Sequence, residues 1–138
     1  MCSSDLEQYP INMLIAEDNP VNQMLIQRIL AKLGYKTTIV NNGLEALQRV
    51  SEQTFDVVLM DVQMPEMDGF EATRNIRQLG IEQPYIVAMT ANALAEDREL
   101  CLKQGMDNYV SKPMKLDLLV AVLKEAHAIK RGSLYSKI

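Results

Sequence analysis

Five short apolar runs alternate with stretches in which apolar residues recur at helical spacing, and this alternation constrains the fold more than any other feature. Each run is bounded by polar residues, which predicts a strand. The runs occupy 11–16, 35–40, 55–60, 85–90 and 108–110. Strands that alternate with helices predict parallel βαβ units, and continuously apolar strands predict a sheet covered on both faces. The sequence therefore predicts an α/β fold, (βα)5, in which a doubly wound, five-stranded parallel sheet is the middle of three layers.

The stretches between the runs carry the start and stop signals of helices. Before the first of them, Asn19 suits an N-cap and Pro20 the first helical position, and Gly34 suits the stop. The predicted helices occupy 20–33, 44–52, 70–80, 94–105 and 115–130. The two ends of the chain have no clear period. We therefore expect an N-terminal tail or linker over 1–10, one domain over 11–130 and a C-terminal tail over 131–138.

Composition excludes several classes of protein. The 138 residues suit one domain, and the net charge of −4 argues against direct nucleic-acid binding, which needs a basic face. No apolar run approaches the roughly 20 residues that span a bilayer, and 1–10 lacks the features of a signal peptide. The two cysteines, Cys2 and Cys101, show no ligand or redox spacing. We expect a cytoplasmic protein with reduced thiols and no membrane contact.

Polar residues follow the strands at the edge where open α/β sheets place their sites. The second strand offers only Asn41 and Asn42. The residues that follow the other four strands are Glu17 and Asp18 after the first, Asp61 after the third, Thr90 at the end of the fourth and Lys112 after the fifth. Each alone is ordinary in a loop, for example as a helix cap or a solvated charge. Their coincidence along one edge favours a functional site.

Three clustered carboxylates repel one another unless a cation neutralises them. Lys112 supplies one positive charge, and Mg²⁺ prefers oxygen ligands, takes one or two carboxylates and completes its shell with waters and phosphate oxygens. A carboxylate is also a competent nucleophile toward phosphorus. The pattern therefore indicates phosphoryl transfer to an aspartate, with Mg²⁺ and lysine offsetting the charge of the phosphoryl group. Glu66 and Asp68 are expected to serve the following turn and helix start instead of a metal.

Four motifs together resemble the receiver domain of two-component response regulators, a flavodoxin-like fold. They are "AEDNPVNQ" (16–23), "LMDVQMPEMDGFEAT" (59–73), "VAMTANAL" (87–94) and "DNYVSKPM" (107–114). The resemblance covers roughly residues 11 to 128. It implies an Mg²⁺-dependent switch that takes a phosphoryl group from a phosphohistidine donor.

The resemblance also implies a role for each matching residue. Asp61 matches the phosphoacceptor, and Lys112 and Thr90 match the residues that assist phosphoryl transfer. The implied metal ligands are Asp18, Asp61 and the main-chain carbonyl of Gln63, with Glu17 acting through water. The implied switch residues are Thr90 and Tyr109, which would alter the face formed by the fourth helix, fifth strand and fifth helix. The peptide bond before Pro113 is expected to be cis. Self-phosphorylation and self-dephosphorylation are expected, but whether the parent protein is an enzyme stays open.

The motifs look most like the receivers of hybrid sensor histidine kinases. The implied partner is a histidine kinase or a histidine phosphotransfer domain, and the resemblance leaves room for a weak homodimer. The alternative is that this segment belongs to a larger hybrid kinase and is not a stand-alone regulator. A haloacid-dehalogenase-type phosphatase is disfavoured because Gln63 stands where a second acid is needed. A flavin-binding module would need a phosphate-cradling loop, and a degenerate receiver would have lost Asp61, Thr90 or Lys112.

Overall fold

Five parallel strands form one sheet, in agreement with the prediction. The computed structural model describes residues 12–64, 66–81, 83–90, 95–111, 117 and 119–125. The strands are β1 (Asn12–Ala16), β2 (Lys36–Val40), β3 (Val57–Asp61), β4 (Tyr85–Thr90) and β5 (Asn108–Ser111). They pair in the order β2-β1-β3-β4-β5, so β3 is central and the order reverses between β1 and β3. That reversal is where doubly wound sheets open a crevice at their carboxyl edge.

Helices connect the strands, with the predicted caps in place. They are α1 (Pro20–Lys32), α2 (Gly43–Glu52), α3 (Gly69–Arg77) and α4 (Ala95–Lys103), and residues 117 and 119–125 lie in a fifth helix, α5. The Asn19 side chain accepts hydrogen bonds from Val21 N and Asn22 N, and Gly34 has a φ of +83° after α1. Within the part of the chain that the structure describes, no helix is long and apolar enough to cross a membrane.

The sheet separates two apolar cores because successive side chains of a strand point to opposite faces. On β3, Val57 and Leu59 face one core, and Val58 and Met60 face the other. The first core is completed by α1 and α5, for example by Leu30 and by residues 119, 122 and 123. The second is completed by α2, α3 and α4. The three predicted layers are therefore confirmed, and β3 is buried along its whole length.

Candidate functional site

Three carboxylates meet at the reversal point of the sheet. Glu17 and Asp18 follow β1, and Asp61 ends the neighbouring strand β3. One oxygen from each of the three side chains lies within 4.8 Å of the others. Glu17 is fully buried and Asp61 is 4% exposed, whereas Asp18 is exposed to solvent. The site thus has a buried floor and one open side through which a ligand can approach.

Asp61 ends β3, a strand whose five residues are all buried. It pairs with Met89 of β4, and the next residue along the chain, Val62, donates its N–H to the Met89 carbonyl over 3.1 Å. The N–H of Gln63 donates to Oδ1 of Asp61 over 3.2 Å. This local bond restricts rotation of the carboxylate. The backbone that carries Asp61 is therefore held by strand pairing on one side and by its own following loop on the other.

The acidic pair is positioned by the turn from β1 into α1. Glu17 donates its N–H to the Val40 carbonyl of β2 over 3.1 Å, and its Oε1 accepts from Asn19 N over 3.1 Å. Oδ1 of Asn19 in turn accepts from Val21 N over 2.8 Å. These bonds leave Asp18 between two anchored residues, with its side chain turned toward solvent.

The loop from β3 to α3 is packed tightly against the strand ends. A Cβ atom on Gly69 would overlap the carbonyl oxygen of Asp61, and one on Gly43 would overlap that of Met67. Gly43 N also donates to Met67 O over 2.9 Å, and Gly69 N to Val62 O over 3.0 Å. Both glycines are therefore required for the close approach of this loop to the sheet.

The remaining predicted residues lie at the ends of β4 and β5, or outside the described range. Thr90 is half-buried at the end of β4 and pairs with Ser111. Tyr109 lies one step into β5 and is partly buried against the second core, with the Arg98 guanidinium carbon 5.7 Å from its ring centroid. Lys112 and Pro113 lie outside the described residues, and so does the peptide bond between them.

The donor set fits a hard divalent cation. All three converging groups are carboxylates, and two of them are buried, so their mutual repulsion is weakly screened. Oxygen donors of this kind are the ligands of Mg²⁺, which keeps several waters and is bound through one or two carboxylates. Asp18 and Asp61 suit direct contact, and the exposed side of the site leaves room for water. The acids Glu66 and Asp68 lie apart from this group: Asp68 caps α3 by accepting from Glu71 N over 2.8 Å.

Sequence reasoning missed a set of amide side chains whose hydrogen bonds link the loops around the site. Gln23 donates through Nε2 to the Glu17 carbonyl and, over 3.0 Å, to Oδ1 of Asn41. Asn42, which is 8% exposed, lies between the carboxylates of Glu45 and Glu66. The only signal in the sequence was that polar residues follow β2 at the edge where the site forms.

Comparison with known proteins places these features in a family. The sequence model of the response regulator receiver domain matches residues 13–124. The chain is 46% identical over 110 residues to the sensor histidine kinase RcsC of Salmonella typhimurium, covering 80% of this chain and 12% of the relative. It is 44% identical over 128 residues to hybrid signal transduction histidine kinase H of Dictyostelium discoideum, covering 89% of this chain and 9% of the relative. The chain therefore spans about a tenth of the length of these relatives.

Solved structures give the same result. One is the receiver domain of a sensor histidine kinase from Pseudomonas aeruginosa PAO1, with a magnesium ion coordinated in its active-site cleft. It has a TM-score of 0.78 and 42% identity, and the match covers 85% of this chain and 97% of that one.

Another is a receiver domain from Saccharomyces cerevisiae, in co-crystal with a histidine phosphotransfer signaling protein. It has a TM-score of 0.81 and 30% identity, and the match covers 88% of this chain and 91% of that one. These relatives and structures are receivers and histidine kinases, and they give no support to the phosphatase alternative. By sequence and by fold, the chain belongs to the response regulator receiver domain family.

Proposed function

We propose that this chain is the Mg²⁺-dependent phosphoacceptor of a phosphorelay, with Asp61 receiving the phosphoryl group. The observation that carries the proposal is the convergence of Glu17, Asp18 and Asp61 within 4.8 Å at the reversal point of the sheet. Asp61 is the best placed nucleophile because it ends the central strand and its carboxylate is held by Gln63 N at the open crevice.

The metal would be held by Asp18, Asp61 and the main-chain carbonyl of Gln63, with Glu17 acting through water. When bound, Mg²⁺ supplies positive charge that offsets the charge on the phosphoryl oxygens. The buried position of Glu17 supports an indirect role, since its Oε1 already accepts from Asn19 N over 3.1 Å. The exposed position of Asp18 supports direct contact with an ion that arrives from solvent.

The proposed reaction is in-line transfer from a phosphohistidine to the Asp61 carboxylate. An oxygen of Asp61 forms a bond to phosphorus while the P–N bond breaks. The electron pair of that bond stays on nitrogen, and the donor leaves as neutral histidine after taking up one proton. Lys112 would offset charge on the phosphoryl oxygens, and the Thr90 hydroxyl would donate a hydrogen bond to one of them. Later hydrolysis of the aspartyl phosphate would give the self-dephosphorylation predicted above.

The switch would act through Thr90 and Tyr109 on the face formed by α4, β5 and α5. Thr90 ends β4, and Tyr109 pairs with Ala88 of the same strand, so movement of Thr90 is adjacent to the ring. Arg98 lies over that ring from α4. Rotation of Tyr109 would remove this cation–π contact and change the surface that partners meet.

The proposed donor is a histidine kinase or a histidine phosphotransfer domain. Its support is that relatives at 44–46% identity are sensor and hybrid histidine kinases and that a similar receiver co-crystallised with a phosphotransfer protein. We propose that this chain functions as the receiver of a hybrid kinase, in the cytoplasm and without direct nucleic-acid contact. The net charge of −4 supports the last point. A weak homodimer is compatible with this role.

The test is phosphorylation by acetyl phosphate with Mg²⁺, read as the mass of the intact protein. The wild type should gain one phosphoryl group, and Asp61→Asn should lose the main product. Asp117→Asn makes the same chemical change at an exposed aspartate on α5 and should be labelled like the wild type. Full labelling of Asp61→Asn would refute the assignment.

A parallel titration by calorimetry tests the metal. Asp18→Asn should weaken Mg²⁺ binding, because a carboxylate ligand becomes a neutral amide. Unaltered affinity would remove Asp18 from the metal shell while leaving Asp61 as the acceptor.

A further inference from the structure

The loop after β2 contributes no carboxylate to the metal site, yet it contains one of the few buried polar side chains of the described chain. Asn42 is 8% exposed. Its Oδ1 caps α2 by accepting from Glu45 N over 2.8 Å. Its Nδ2 donates to Oε2 of Glu45 over 3.4 Å and to Oε2 of Glu66 over 3.3 Å. One carboxamide therefore joins α2 to the loop that follows Asp61.

The β3–α3 loop needs such a restraint. Glu66 has a φ of +65°, a backbone conformation that residues other than glycine rarely adopt and that costs on the order of 1 kcal/mol or more. Besides the Asn42 contact, the same loop is fixed by Gly43 N, which donates to Met67 O over 2.9 Å. Both restraints come from adjacent residues of the β2–α2 connection. The strained backbone thus lies three residues beyond Gln63, whose carbonyl is a proposed metal ligand.

A second set of bonds joins the same connection to the acidic pair. Gln23 donates to the Glu17 carbonyl and to Oδ1 of Asn41. Asn41 N in turn donates to Oε1 of Glu45 over 3.3 Å. The β1–α1 and β3–α3 loops, which carry all the proposed metal ligands except Asp61 at the end of β3, are therefore tied to one another through a connection that carries none.

We propose that Asn42 is a positioning residue for the metal site, acting through Glu66 on the loop that presents Gln63. This inference rests on the proposed function and deepens it. An amide suits the position because each of its two N–H groups can meet one carboxylate, while its oxygen remains available to cap α2. An aspartate would keep the cap but lose both donors and place a third negative charge between Glu45 and Glu66.

The test exploits that separation of the two roles of Asn42. Asn42→Asp should retain α2 and stay folded in the assay, because Asp caps helices about as well as Asn, while the lost donors and the added charge lower its urea midpoint. Circular dichroism and urea unfolding confirm that the variant is folded where Mg²⁺ binding is measured. Its Mg²⁺ dissociation constant, measured by calorimetry, should rise by about 10-fold to 100-fold, which is typical when a group supporting metal ligands is lost. The initial rate of labelling by acetyl phosphate at subsaturating Mg²⁺ should fall in proportion.

Two further variants make the test specific. In the first, Glu66→Gln is added to Asn42→Asp, so that the amide at position 66 can donate to the carboxylate at position 42. This restores the hydrogen bond with donor and acceptor exchanged, and part of the Mg²⁺ affinity should return. Gln48→Glu adds the same charge at an exposed position on α2 and should leave Mg²⁺ binding as in the wild type.

The outcomes separate this inference from the proposed function. Wild-type Mg²⁺ affinity in Asn42→Asp would overturn the positioning role, even where Asp61 is confirmed as the acceptor. A loss of affinity that Gln48→Glu reproduces would assign the effect to net charge, and a loss that Glu66→Gln leaves uncorrected would show that Asn42 does not act through Glu66. Either result would also overturn it. Labelling that survives Asp61→Asn would refute the assignment of Asp61 as the phosphoacceptor. Because that outcome is measured in a different variant, the two failures are distinguishable.

Discussion

Replacing Gly69 with alanine tests whether the close approach of α3 to β3 sets the position of Asp61. Gly69 has no positive φ, so alanine can adopt its backbone without conformational strain. The obstacle is space. The new Cβ would overlap the backbone carbonyl oxygen of Asp61 and would lie 3.0 Å from Cγ of Met60 and 3.1 Å from the Asp61 carbonyl carbon.

The size of the effect follows from which atoms must move. Met60 is fully buried and Asp61 nearly so, so the overlap can be relieved only by shifting α3 or the end of β3. Overpacking of this kind costs about 1–3 kcal/mol, offset by the roughly 0.4–1 kcal/mol that Gly→Ala gains by restricting the unfolded chain. The net loss therefore lies between about 0 and 2.6 kcal/mol, and we expect the upper half of that range because the overlap is with backbone atoms. A displacement on the order of 1 Å at a reacting group also costs about 100-fold in rate.

Urea unfolding followed by circular dichroism measures the first effect, and the rate of mass gain with acetyl phosphate and Mg²⁺ measures the second. Gly80→Ala is the matched control, because its Cβ would meet nothing within 4 Å and its φ is not positive. That variant should be as stable as the wild type or slightly more so, and equally reactive. If Gly69→Ala behaves like Gly80→Ala in both assays, the packing argument for the position of Asp61 is refuted.

Two further predictions concern the opposite edge of the sheet. Arg77 donates to the carbonyls of Gly105 and Pro84 and, over 2.7 Å, to the Asp107 carboxylate. Arg77→Met should therefore lower the free energy of unfolding, measured by urea titration, by about 1–3 kcal/mol without changing Mg²⁺ affinity. A variant as stable as the wild type would contradict this. Burial raises the pKa of Tyr85 above its usual value, with the charges of Glu125 and Asp107 adding to it and the Asn108 hydrogen bond opposing it. Because the folded pKa exceeds the unfolded one, the stability that the neutral phenol contributes is complete below about pH 10 and is lost as pH rises through the folded pKa. Urea titrations across that range should show Tyr85→Phe losing less stability than the wild type, and parallel losses would refute the assignment.

The three inner strands, β1, β3 and β4, were predictable because they are buried on both faces. Residues 57–60 are all at most 1% exposed, and a strand covered by helices on both sides has to be apolar without interruption. The caps were predictable for a local reason: Asn19 and Gly34 act on the backbone within a few residues of themselves. The placement of Glu17, Asp18 and Asp61 followed from the rule that parallel strands end at the same edge.

What could not be predicted depends on contacts between distant segments. The apolar spacing of α1 correctly indicated a helix, but Val21 is 73% exposed and Met24 55%, while Ile26 and Leu30 are buried. Periodicity gives the helix, whereas the sheet that covers it decides which part of the apolar surface is buried. The positive φ of Glu66 was equally invisible in the sequence, because the loop that carries it is held by Asn42 and Gly43, which lie more than 20 residues earlier in the chain.

The loops around the site have different roles, and together they explain how a buried aspartate can remain accessible to a phosphodonor. An acceptor carboxylate needs low exposure, so that nearby charges act on it strongly, and also an open side for the donor. β3 provides the low exposure, since Asp61, the proposed acceptor at its end, is 4% exposed. The solvent-facing Asp18 marks the open side. The resulting site holds Glu17, Asp18 and Asp61 close together, and the repulsion between their charges is unfavourable unless a cation neutralises it. The amides of Gln23 and Asn42 lie where their hydrogen bonds can hold the two acidic loops in place before any ion arrives. In this arrangement the loop without a charge determines how closely the charged loops can approach.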